Sequence, residues 1–285
     1  MTAHDTLDIE TLRCWVGKER TTTDVIRAQP VAFLRATLDS FAPDDASEPQ
    51  PGEPLPPTWH WLFFLEAAPL SQLGADGHRA RGEFLPPVAL PRRMWAGGRL
   101  AFIEPLTIGA TIRRRSTIAA VERKRGRSGE LCFVTVRHEL FERTTLKMTE
   151  EHDIFYRQRA AADAPPPMAP TAADARARIT AGATMLFRYS ALTFNSHRIH
   201  YDLDYCREVE GLPGLLVHGP LTATLLADLA RAQCGEALCG FEFRAVSPLL
   251  AEQPFTIALK RRGRRMELWA ANARGELAMR ASAWV

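Results

Sequence analysis

Cysteine is scarce and unpatterned in this chain. Its five residues, Cys14, Cys132, Cys206, Cys234 and Cys239, are odd in number and form no C-x-x-C pair. That usage argues against a disulfide framework or a zinc ribbon and fits free thiols in a reducing cytoplasm. No long stretch is apolar enough to span a membrane. The most apolar one, residues 211–230, carries His218 and Asp228 with several Gly and Pro, and suits a buried helix. The first residues, MTAHDTLDIETLRCWVGKE, lack an apolar signal core. An excess of one charge is missing too. Lys plus Arg number 36 and Asp plus Glu 33, a net charge of +3, so nucleic acid is not expected as a partner. His197 and His200 are joined by no H-E-x-x-H pattern or Cys pair, so a metal site is not expected.

What is present is an ordinary globular composition, 46% hydrophobic over 285 residues, enough for one large or two small domains with a sizeable core. Residues 8–19 read as a short helix, and residues 42–57 as a loop of Pro and acid. Residues 99–156 read as strands, with a basic turn at 123–127. Ala and Pro dominate 161–182, expected to link a first half, 1–160, to a second, 183–285. In the second half the pattern predicts a strand at 184–194 and an apolar helix at 218–233. Four strands are expected to follow, at 238–246, 254–261, 265–273 and 276–285. The helix carries Leu221, Leu225, Leu226 and Leu229 around more than one side, so it is wrapped by its neighbours.

The halves share a weak repeat. EPLTIGATI (104–112) and SPLLAEQPFTI (247–257) each precede a strand, a basic turn and another strand. The physical meaning of the repeat is two similar α+β units packed together as a pseudo-dimer.

Chemistry concentrates in SALTFNSHRIHYDLDYCREVEGLPGLLVHGPLTATLL (190–226). It gathers Asn195, His197, Arg198, His200, Tyr201 and Asp202, then presents His218, Gly219 and Pro220 at a helix start. Unpaired N–H groups and the helix dipole at such an end stabilise a developing oxyanion. Gly219 admits a ligand close to the backbone, and a histidine can move a proton near neutral pH. His197 and Asp202 read as residues that orient the turn, and His218 as a helix cap or a second site residue. Cys206 is not expected to act as a nucleophile. Trp59, Trp61, Phe63 and Phe64 read as core.

This stretch resembles the MaoC-like, or (R)-specific enoyl-thioester hydratase, family. FNSHRIH ends at the family's catalytic histidine position, His200, and VHGPL (217–221) matches the helix start whose glycine N–H, here Gly219, polarises the thioester. Within that family the chain is similar to mesaconyl-C4-CoA and itaconyl-CoA hydratases, which share F-N-x-H-R-I-H-Y-D and PRRMWAGG, here at 91–98. The resemblance implies a double hotdog: two antiparallel sheets, each curled round a central helix. It also implies hydration of an enoyl-CoA to a hydroxyacyl-CoA. The family's acid five residues before the histidine is Asn195 here, and an amide has no acid–base function at neutral pH. Catalytic roles are expected for His200, Asn195 and Gly219, and substrate contacts for Arg198, His197, His218, Arg92 and Arg93, the arginines as partners for a substrate carboxylate. The implied partner is an acyl-CoA thioester, with a homodimer as a further expectation. A carrier-protein dehydratase, a thioesterase and a non-catalytic acyl-CoA-binding hotdog are the competing readings.

Overall fold

The computed structural model describes residues 7–39, 48–126, 129–158 and 165–285. Its frame is one antiparallel sheet of ten strands. The first half contributes β1 (Glu19–Val25), β2 (Arg92–Phe102), β3 (Thr111–Gly126), β4 (Gly129–Glu142) and β5 (Thr145–Arg157). The second contributes β6 (Ala175–Thr180), β7 (Gly240–Ala245), β8 (Pro254–Arg262), β9 (Arg265–Ala271) and β10 (Leu277–Trp284). The order is β1-β3-β4-β5-β2-β7-β10-β9-β8-β6. From the outer edge inward, each half therefore runs first, third, fourth, fifth, second. The short repeat is the sequence trace of this symmetry. The Leu55 N–H donates to the Leu106 carbonyl at 2.7 Å, and the Val217 N–H donates to the Leu249 carbonyl at 2.9 Å, on matching prolyl-leucine corners.

Four helices accompany the sheet: α1 (Ile9–Arg13), α2 (Ala28–Leu38), α3 (Ala183–Leu192) and α4 (Gly219–Cys234). Every residue of α4 from Leu221 to Asp228 is buried, and the helix packs on β7, β8, β9 and β10. This is the wrapped helix that its all-round apolar sequence demands. In the first half the corresponding position holds a single turn, Trp59–Leu62. That turn is tied to α4: Thr58 Oγ1 donates to Thr224 Oγ1 at 3.1 Å, and Trp59 Nε1 donates to Asp228 Oδ2 at 3.1 Å.

Three local expectations change. Residues 184–194 form helix α3 in place of a strand. A short apolar run does not reveal its own period, and Leu186 and Tyr189, one helical turn apart, are buried on the side that meets α2. The helix expected at 8–19 ends at Arg13, because the β-branched ERTTTDV that follows pairs along β3 as an edge strand. The segment expected to be a linker contains β6, whose alternating ARARIT pairs with β8. Parts of the 42–57 loop, of the 123–127 turn and of the 161–182 segment lie outside the described residues.

The halves meet where β2 pairs with β7, Gly97 opposite Arg244 and Gly98 opposite Phe243. A Cβ on Gly97 would stand 2.3 Å from the Phe243 carbonyl oxygen, and one on Gly98 would stand 2.9 Å from the Phe243 ring. The closing glycines of PRRMWAGG thus let the two strands approach. Replacing Gly97 by Ala is expected to cost about 1–3 kcal/mol of stability through overpacking. Arg99→Ala removes exposed ion pairs to Asp153 and Glu151 and should cost about 0–1 kcal/mol. Urea unfolding of both variants checks this, and equal stability would refute the close seam.

Candidate active site

After α3 the chain turns sharply. The Asn195 side-chain oxygen accepts from the His197 N–H at 3.0 Å, an Asx turn of the kind this residue favours. Residues Arg198–His200 form one 3₁₀ turn. Asp202 closes it, accepting from Arg198 Nε and Nη2 at 2.9 and 2.7 Å and from the Tyr205 N–H at 2.9 Å. The Arg198 guanidinium also donates to the Ala75 carbonyl at 3.1 Å and lies over the Tyr205 ring. Its hydrogen bonds go to the protein itself, so Arg198 fixes the turn.

The turn delivers His200 beneath the start of α4. His200 is buried, with Nδ1 2.8 Å from the Leu216 carbonyl oxygen. A carbonyl only accepts, so Nδ1 carries the proton and Nε2 presents a lone pair. Burial pushes the His200 pKa down to about 4, with the Leu216 bond opposing and the His78 imidazole adding, so the ring is neutral at pH 7. It stacks on His218, centroids 3.6 Å apart and planes 20° apart. His218 occupies the N-cap position of α4 without capping it by its side chain; its Nε2 lies 2.8 Å from Ser190 Oγ on α3. Burial, then the imidazoles of His200 and His197, push its pKa down to about 2. No side chain caps α4, so the N–H of Gly219 faces outward at the helix end, next to Pro220, which has none. A Cβ on Gly219 would stand 3.4 Å from the Trp95 ring, which places the PRRMWAGG strand against the same point.

The first half adds residues that sequence reading missed. A loop at 74–78 docks on the turn: Ser196 Oγ donates to the Gly77 carbonyl at 2.5 Å, and the Arg198 N–H donates to the Asp76 carbonyl at 3.0 Å. It brings His78 within 4.1 Å of His197, ring to ring, and His197 lies 5.5 Å from His200. Four imidazoles therefore form a row, His78–His197–His200–His218. Asp76 Oδ2 lies 3.1 Å from His78 Nδ1 at its outer end. Burial pushes His197 down to about 2, with His78 and His200 contributing, and also lowers His78. Burial is the largest influence on Asp76 and opposes its ionisation, but the hydrogen bonds and charge of His78, together with Arg93, outweigh it and hold the carboxyl below its usual range. The ligand atoms of Asp76, His78 and His197 all lie within 4.8 Å of one another, a donor set that could hold a divalent ion. The pair considered in the sequence, His197 with His200, is a different one. No spacing along the chain could show a loop more than a hundred residues away; the only signal was the rarity of histidine, eight in all.

The two arginines of the first motif diverge. Arg92 Nη2 donates to the Glu210 carbonyl at 2.6 Å, and its Nε lies 3.3 Å from the Glu210 carboxylate, tying β2 to the second half. Arg93 has no carboxylate partner within ion-pair distance among the described residues. Burial raises the thiol pKa of Cys206, which suits packing and not attack. Trp59, Phe63 and Phe64 are core, as expected.

Gly77 has φ +84°, and a Cβ there would stand 2.0 Å from the Ser196 carbonyl oxygen. Gly77→Ala should therefore lift the loop from the turn. The imidazole ¹⁵N resonances of His78 and His197 are expected to move while those of His138 stay; unmoved resonances would refute the docking.

The hydroxyacyl-thioester dehydratase type 2 family model matches residues 58–251. The chain is 45% identical over 272 residues to a mesaconyl-C(4)-CoA hydratase of Chloroflexus aurantiacus, covering 94% of this chain and 95% of that protein. Among solved structures it resembles a MaoC-like dehydratase of Phytophthora capsici, with TM-score 0.73 at 11% identity over 98% of this chain and 97% of that one. It also resembles a Mycobacterium tuberculosis protein with a double hotdog fold, with TM-score 0.54 at 15% identity over 94% and 96% of the two chains. The architecture is thus the double hotdog, and the chain belongs to the hydroxyacyl-thioester dehydratase type 2 family.

Proposed function

We propose that this protein is an enoyl-CoA hydratase, a hydro-lyase that adds water reversibly to mesaconyl-C4-CoA or itaconyl-CoA to give citramalyl-CoA. One observation carries the chemistry: a neutral histidine, its free Nε2 set by the Leu216 carbonyl, lies beside the open N-terminus of α4. The 45% identity to a mesaconyl-C(4)-CoA hydratase supports the substrate class.

In mesaconyl-C4-CoA, whose double bond is conjugated with the thioester, the Gly219 N–H and the helix dipole bind the thioester oxygen and draw electron density from the double bond. His200 Nε2 takes a proton from water, and the resulting hydroxide adds at Cβ. The electron pair moves to the thioester oxygen as an enolate. The enolate collapses as Cα takes the proton that His200 carries, which returns the imidazole to its neutral state. Asn195 spends its oxygen on the His197 N–H, leaving Nδ2 to hold the water. His218 sets the face of His200 by stacking, and His197 connects it to His78 and Asp76.

No described helix is long and apolar enough to cross a membrane. The five cysteines are all unpaired, which supports a cytoplasmic location. A homodimer is part of the proposal, through sheet edges or helix faces.

Purified protein should remove the enoyl-thioester absorbance of mesaconyl-C4-CoA, and should add one water by mass to it or to itaconyl-CoA. Turnover of crotonyl-CoA alone would discard the dicarboxylic substrate, and activity confined to carrier-protein substrates would discard CoA. His200→Ala should lower kcat by about 10²–10⁴-fold. The base works in its neutral form, so activity is lost as pH falls through its pKa. With that pKa near 4, kcat/KM should stay level as pH falls through the ordinary histidine value of about 6.5. An acid limb centred there would refute the buried base.

A further inference from the structure

A cavity of about 270 Å³ opens in the first half. It adjoins the candidate active site through β2. Arg93 lines it, while Trp95, two residues on and on the same strand face, packs against Gly219. The Trp95 ring also meets His152, a second lining residue, at 5.6 Å.

The charge of this cavity is unbalanced. Arg20, Arg79, Arg81, Arg93 and Arg114 line it, against Glu66 and Glu83. Arg20 and Arg79 are paired with those glutamates. The other three have no carboxylate within ion-pair distance among the described residues. Arg81 donates only to the main-chain carbonyls of Val88, Leu90 and Pro91. Arg114 donates to the Phe64 carbonyl, and its Nε is buried without a partner. The nearby buried carboxylate, Glu150, is already taken: His60, Trp61 and His152 approach it at 2.9, 2.7 and 2.6 Å. Burial keeps His138, on the same wall, uncharged. Burial also pulls the Arg114 pKa down, yet a guanidinium does not give up its proton in a protein. The carboxylates that reach Arg114 electrostatically, Glu150, Glu66 and Asp24, are each engaged by another partner, so a small anion entering the cavity would meet guanidinium donors not bound to any carboxylate.

The volume suits a small anion, lying just below the range of about 300–1,000 Å³ typical of small-molecule clefts. Guanidinium forks match carboxylates in shape and charge.

We propose that this cavity receives the free carboxylate of a short dicarboxylic acyl thioester, with Arg93 and Arg114 as the residues that select it. The assignment rests on the hydratase reading and names the feature of the substrate that the site distinguishes. The test compares wild type with Arg93→Gln, Arg114→Gln and the charge-keeping Arg114→Lys, each checked for folding by circular dichroism. Their kcat/KM is measured on mesaconyl-C4-CoA and on crotonyl-CoA, which lacks the second carboxylate. The Gln variants should lose at least about 30-fold more on the diacid than on crotonyl-CoA, mostly in KM, and Lys should recover part of the loss. Equal loss on both substrates, or no loss, would overturn the proposal. Titration calorimetry with free mesaconate and with inorganic phosphate gives a readout independent of turnover. If wild type hydrates neither thioester, the hydratase reading fails. Mesaconate binding that Arg114→Gln abolishes would still support a carboxylate site. Binding of phosphate in preference to mesaconate, or of neither, would overturn it.

Discussion

The close approach of β2 to β7 is the constraint on which the rest depends. It requires one strand without side chains at the point of contact, and Gly97 and Gly98 of β2 supply it. Once the strands meet, ten strands share one continuous ladder. The first half's β2 then carries Trp95 to Gly219 and Arg92 to Glu210, both in the second half. The same seam sets the loop at 74–78 on the turn at 195–202. A site assembled from both halves is a consequence of that packing.

The two halves repeat a topology but divide its functions. The second half owns the long helix α4, whose open end faces His200. The first half replaces that helix with one turn, Trp59–Leu62. Its polar groups are instead buried as matched sets: Trp59 with Asp228, and Glu150 with His60, Trp61 and His152. Burial raises the Asp228 pKa to about 7, outweighing Arg231 and the Trp59 bond. Burial opposes the charge of Glu150, while the two histidines hold its pKa well below the usual range. The contrast follows from donor number: three donors converge on Glu150. Desolvation is also what makes the histidine row useful. It keeps His197, His200 and His218 uncharged, and a neutral imidazole is the form that accepts a proton.

Much of the architecture was legible in the residues. The four last strands and α4 lie close to where alternation and all-round apolarity put them, because both patterns are dictated by a single buried environment. Helix α3 was not legible, since TMLFRYSAL carries a mixed pattern whose period is resolved only by the neighbour α2. The strand β6 hid in an Ala-rich segment, because ARARIT alternates small and charged residues without a long apolar side chain until Ile179. Within the site, Arg198 looked available in sequence. The fold gives it to Asp202, Ala75 and Tyr205.

The sequence by itself determined the local devices: the Asx turn at Asn195, the helix start at His218-Gly219-Pro220, and the glycine pair of PRRMWAGG. Each depends on residues a few positions apart, whose geometry the backbone fixes. The tautomer of His200, the row of four imidazoles, the arrival of Asp76 and the unbalanced arginines beside β2 were decided only by tertiary structure. The His200 tautomer depends on desolvation and on the Leu216 carbonyl, the arginine cavity on strands of the first half brought side by side, and the imidazole row with Asp76 on contacts between segments more than a hundred residues apart, which exist only once the two halves have joined.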